Sequence, residues 1–155
     1  MMKSTGLTVL GIFTLLFSSC DKDNDNDIAA DLLINTKWSA TLTDDNPATN
    51  PPGQFGMNGN NQYYPWLACH MDDTFTFQQK QLTINDNETS CEDGANWIFD
   101  TSNLSYSYNA EKKQLTIGEG DDRVTLEVYE LNKNRLKLGL PIPMGGAIVF
   151  LFKRK

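Results

Sequence analysis

A single histidine and three cysteines are all the imidazole and thiol groups that 155 residues provide, few parts for a metalloenzyme. Basic residues are scarce as well: thirteen Lys and Arg face twenty Asp and Glu, for a net charge of −7. An acidic surface repels a phosphate backbone, which argues against nucleic-acid binding. There is no glycine-rich phosphate loop, no His-Glu zinc motif and no nucleophile elbow. His70 has Ser90 and Ser102 further along the chain, but nothing in their spacing fixes a triad. We therefore expect a non-enzyme with no catalytic residue, metal or other cofactor. Strand–helix alternation is missing too, which excludes parallel α/β folds. What is present is 39% hydrophobic and 10% aromatic residues, enough for a packed core in one domain with a tail.

The chain opens with Met1-Met2-Lys3 and the apolar run Gly6 to Phe17. As a helix that run would reach about 18 Å, against roughly 30 Å of hydrocarbon. It is too short to span and matches a signal-peptide core. The end of the run, Leu16-Phe17-Ser18-Ser19-Cys20, resembles a bacterial lipobox. That resemblance implies a cleaved signal peptide over residues 1–19, a lipidated Cys20, and anchorage in the cell envelope, at the outer membrane. Each buried acyl methylene contributes about 0.8 kcal/mol to such anchorage. Asp21, Asp23, Asp25 and Asp27 follow directly. Read as a calcium loop, the segment has Asn26 where the turn needs Gly and Leu32 where the bidentate Glu belongs. It reads instead as a self-repelling acidic tether over residues 20–30. An acidic stretch after a lipidated Cys also resembles the surface-export signal of some Gram-negative lipoproteins. The outer surface and the periplasmic face both stay open.

Residues 31–155 read as an all-β domain after a short helix within Ile28–Ile34, with Asp27 as its N-cap. Alternation then dominates. Trp38, Ala40 and Leu42 share a face, followed by Phe75 and Phe77, Leu82 and Ile84, and Trp97 and Phe99. Further on come Leu104, Tyr106 and Tyr108, then Leu115 and Ile117, then Val124, Leu126 and Val128, then Leu136, Leu138 and Leu140. The last run, Gly146 to Lys153, is apolar on both faces, so both should be covered. Short polar turns between such strands predict an antiparallel meander of about eight strands, closing into a small barrel. Residues 44–66 break the rhythm with Pro47, Pro51, Pro52 and Pro65. A loop of that length is usually functional or disordered. Its end, Tyr63-Tyr64-Pro65-Trp66, needs an apolar surface, either as a lid over an opening or as a plug.

Cys69-His70-Met71-Asp72-Asp73, then Phe75 and Phe77, then Cys91, resemble the lipocalin-like domains of small bacterial lipoproteins. Trp38, Trp97 and the basic end Lys153-Arg154-Lys155 occupy matching places. The resemblance implies a barrel that binds or carries, with Arg154 packed over Trp38 as a structural cation–π pair. It departs from lipocalins proper where Gly-x-Trp is expected and Thr36-Lys37-Trp38 stands. Exported thiols oxidise, so Cys69 and Cys91 are expected as a disulfide. A metal is not expected, because Cys69 and His70 would point to opposite faces of an extended segment. Two functional classes follow. One is an interaction or structural module with a filled barrel that meets an envelope protein. The other is a carrier of a small apolar or amphipathic ligand held by Trp38, Tyr64, Trp66, Trp97 and Phe99.

Overall fold

The computed structural model describes residues 30–53, 55, 61–87, 89, 91, 98–99, 103–143 and 145–155. Cys20, the acidic tether up to residue 29 and Trp97 lie outside the described residues. Residues 30–33 are helical, with the Ile34 N–H donating to the Ala30 carbonyl at 2.9 Å. No helix among the described residues is long and apolar enough to cross a membrane.

The strands are β1 (Lys37–Ala40), β2 (Gln62–Tyr63), β3 (Thr74–Phe77), β4 (Gln81–Asn85), β5 (Asn103–Asn109), β6 (Gln114–Ile117), β7 (Val124–Leu131), β8 (Arg135–Pro141) and β9 (Ala147–Arg154). Eight of them pair antiparallel in the order β1-β3-β4-β5-β6-β7-β8-β9, and a β1–β9 pairing closes the barrel. The expected meander is therefore present. Alternation carries Trp38, Phe75, Phe77, Leu82, Leu115, Leu126, Leu138 and Phe150 into a common core, all at most 1% exposed. On the other face of β9, Ala147, Val149 and Leu151 are buried in a second, smaller cluster, so both faces of the last strand are covered.

Three expectations need correction. Leu42 does not join Trp38 and Ala40 in the core but is 59% exposed, because β1 ends at Ala40 and the chain leaves the sheet. Phe99 lies in a turn rather than on a strand, yet it is buried. The long loop contains β2, a two-residue strand that pairs parallel with β9 through Gln62↔Ile148 and Tyr63↔Val149.

The β7–β8 register slips between Val128 and Glu130. Such a bulge turns two successive side chains outward. Tyr129 then lies over Gly139, where a Cβ would overlap its ring, and its hydroxyl donates to Glu127 Oε2 at 2.6 Å. Gly139→Ala should displace the ring and cost about 1 kcal/mol, the low end for overpacking because the ring is only half-buried. In a Tyr129→Ala background the same change should cost almost nothing. Urea unfolding of the two single variants and the double variant measures that coupling.

Candidate functional site

The chain that leaves β1 forms a strap and then, after β2, a plug. Asp44 starts the strap by accepting the Asn46 N–H through Oδ1 at 3.0 Å, and Pro47–Thr49 makes one 3-10 turn. Beneath it Lys137, on the outer face of β8 opposite Leu151, is 2% exposed. Its ammonium donates to both Asp44 carboxylate oxygens at 2.9 Å, to the Asn46 carbonyl at 2.8 Å and to Asn50 Oδ1 at 2.7 Å. Glu130 provides a second fastening. It receives Asn46 Nδ2 at 3.2 Å, the Thr49 hydroxyl at 3.1 Å and Arg135 Nε at 2.8 Å. Tyr63 closes the strap on itself, donating to Asp44 Oδ2 at 2.7 Å and accepting from Asn50 Nδ2 at 2.8 Å.

These bonds order the electrostatics. Burial raises the Asp44 pKa, but the hydrogen bonds from Lys137, Tyr63 and Asn46 outweigh it and hold the carboxyl below its usual value. Glu130 behaves likewise through Arg135, Asn46 and Thr49. Lys137 and Asp44 are both nearly buried, with side-chain exposures of 2% and 8%. Removing one partner of such a pair leaves an uncompensated charge and costs about 3–5 kcal/mol. Lys137→Ala should therefore lower unfolding stability by about that amount at neutral pH and expose residues 44–50 to limited proteolysis.

After β2 the Tyr64 N–H still donates to the Val149 carbonyl at 2.8 Å. Pro65 has no N–H with which to continue the ladder, and there the chain turns Trp66 inward. Trp66 is 4% exposed. Its ring centroid lies 5.4 Å from Phe152, 5.7 Å from Phe75 and 5.9 Å from both Phe99 and Phe150. Tyr64 stacks on Phe150 at 4.8 Å. The structure thus brings together three proposed ligand contacts, Tyr64, Trp66 and Phe99, but they contact one another and the core. Trp38 is fully buried in the same core, although no ring contact joins it to that group. At the end of the loop, Tyr64 and Trp66 thus pack into the core as a plug. Two polar atoms remain from this packing: Trp38 Nε1 and Trp66 Nε1 are buried with no hydrogen-bond partner.

Beside the plug, Cys69 and Cys91 are disulfide-bonded with Cα atoms 5.5 Å apart. The segment Ala68–His70 is a 3-10 turn rather than an extended strand. His70 is therefore not carried to the opposite face from Cys69, and the ligand atoms of Cys69, His70 and Cys91 lie within 4.8 Å of one another. His70 is 4% exposed, and its Nδ1 accepts the Leu67 N–H at 3.3 Å. Burial lowers the imidazole pKa, and Asp86 opposes that only in part.

The Asp-Asp segment is held by the chain's last residue. Lys155 Nζ donates to the Asp72 carbonyl at 2.8 Å and to Thr74 Oγ1 at 2.9 Å. Arg154 stands opposite Trp38 in the β1–β9 ladder, but its guanidinium reaches the Lys133 carbonyl at 3.5 Å. The expected cation–π pair is not formed. The contact to the basic terminus runs through Lys155 instead.

Asp73 is buried, with Oδ1 lacking a hydrogen-bond partner. Its pKa is raised to about 6 by burial and then by the neighbouring Asp86 and Asp72, against the pull of Lys155. A raised carboxyl pKa means that the folded chain binds more protons than the unfolded chain between about pH 4 and 6. The stability contributed by Asp73 therefore falls as pH rises through that window, while Asp44 and Glu130 lose theirs only at lower pH. Asp73→Asn should raise the melting temperature at about pH 8, and the gain should vanish near about pH 4. Thermal unfolding at the two pH values checks the sign.

The closed eight-strand antiparallel barrel, with aromatic side chains packed inside it, is consistent with a lipocalin-like fold. The family model for a lipocalin-like domain matches residues 37–138, and the chain belongs to that family. No curated protein and no solved structure matches it. Lipocalin-like domains are typically binding or carrier modules. The match runs from β1 into β8, so β9, which closes the barrel, lies beyond it.

Proposed function

We propose that the chain is a lipid-anchored envelope module whose lipocalin-like barrel is filled by its own side chains. It acts without catalysis, as an interaction or structural element at the cell surface or on the periplasmic face. The observation that carries this reading is Trp66, seated at 4% exposure among Phe75, Phe99, Phe150 and Phe152 by a strap with a buried ionic fastening. Eight strands enclose an interior that side chains can just fill. A guest at this end would have to displace packed aromatic rings. The anchor rests on the run ending in Cys20 and on the acidic residues after it. The partner is an envelope protein that meets the outer face or the strap.

One observation favours the carrier reading. The indole N–H groups of Trp38 and Trp66 have no acceptor, and an unsatisfied buried donor costs about 1–3 kcal/mol. An amphipathic guest with an acceptor group would relieve them. Titrating the natively folded protein with fatty acids and sterols distinguishes the two. With a filled barrel, tryptophan fluorescence does not saturate and native mass spectrometry finds no bound molecule. Saturable binding that is lost on deleting residues 47–62 would establish the carrier. For the anchor, Cys20→Ala should abolish lipidation and move the protein from the membrane to the soluble fraction.

A further inference from the structure

We propose that Cys69, His70 and Cys91 form a redox-gated site for a thiophilic divalent cation, closed while the disulfide stands and opened by its reduction. The ligand atoms already lie within 4.8 Å of one another. A tetrahedral zinc ion, with Zn–S near about 2.3 Å and Zn–N near about 2.0 Å, needs neighbouring ligand atoms roughly 3.5–3.8 Å apart. The bonded sulfurs are closer than that, and reduced sulfurs must separate to ordinary contact distance, which opens the required gap. Two of the three ligands are held independently of the disulfide. The 3-10 turn Ala68–His70 carries both, and the bonds from Asn87 and Lys155 to Asp72 and Thr74 fix the chain just beyond.

The environment also suits this chemistry. His70 is buried and packs edge-on to Trp66 at 6.0 Å, so its ring is pre-oriented. Nδ1 also accepts the Leu67 N–H at 3.3 Å, which further fixes the ring. Cys69 and Cys91 are half-buried rather than sealed in the core. An external dithiol supplies two electrons and two protons to the disulfide and leaves as its own disulfide. The cation then displaces the two thiol protons and binds two thiolates and one neutral imidazole.

The test uses the full chain, reduced with a phosphine and freed of excess reductant under nitrogen, then titrated with Co²⁺ alone. The reduced chain should bind one equivalent, with a thiolate-to-cobalt charge-transfer band that Zn²⁺ bleaches. The oxidised chain should show no band. Cys69→Ser and Cys91→Ser should each lose most of the band, and His70→Ala should keep it while weakening binding at least about tenfold. The proposal is overturned by no band in the reduced chain, by an equal band in the oxidised chain, or by unchanged affinity in His70→Ala. Circular dichroism of the reduced chain covers the remaining case. If reduction unfolds the barrel and added Zn²⁺ does not restore its strand signal, the site does not exist.

Discussion

Both edges of β9 have to be paired, and most of this architecture follows from how that is done. The strand runs for eight residues, Ala147–Arg154, and β8 pairs with it along nearly its whole length. Its other edge meets β1, which is four residues long and reaches only Phe152, Lys153 and Arg154. An open stretch of strand edge is a template for aggregation. Here β2 fills part of it, pairing with Ile148 and Val149. The chain between β1 and β2 must therefore leave the barrel and come back to the same strand. That return delivers Tyr64 and Trp66 to the mouth, so the plug is a by-product of closure.

An excursion of this length needs holding, and the strap is held by charge. Lys137 sits where an exposed outward lysine would be unremarkable on a strand, but Asp44, Asn46 and Asn50 enclose its ammonium completely. A buried charge is tolerated only when paired and fully hydrogen-bonded. The arrangement therefore specifies position sharply: any other seating of the strap leaves Lys137 or Asp44 buried without a partner. Glu130 fits the same logic because the bulge at Tyr129 turns it toward the strap rather than into the barrel. The strap, the bulge and the register of β7 on β8 thus depend on one another.

How much of this was legible in the sequence depends on the range of the interaction. Period-two alternation placed the apolar faces of β3 through β8, because each face is set by nearest neighbours in the chain. Even the bulge leaves a trace there, since the apolar spacing changes from two to three between Val128 and Leu131. The strap left none, because Lys137 and Asp44 are 93 positions apart and each looks like a solvated surface charge. Phe99 was correctly placed in the core but assigned to a strand, since a turn buried beneath a plug resembles a strand in composition. The separation of Cys69 from His70 was misjudged because a single 3-10 turn was read as extended chain. Of the candidate site, the aromatic membership of Tyr64, Trp66 and Phe99 was readable, but their mutual packing was not.

Asn61 has a further consequence. It is fully buried, its Nδ2 donates to the Pro51 carbonyl at 3.0 Å, and it lies against Gly53, where a Cβ would sit 3.2 Å from that same nitrogen. Gly53 and Asn61 are thus held together across the residues between them. Phe55 adds to the hold, stacking on Tyr63 with ring centroids 4.4 Å apart. The point at which the chain enters β2 is therefore set by side chains rather than by the sheet it joins.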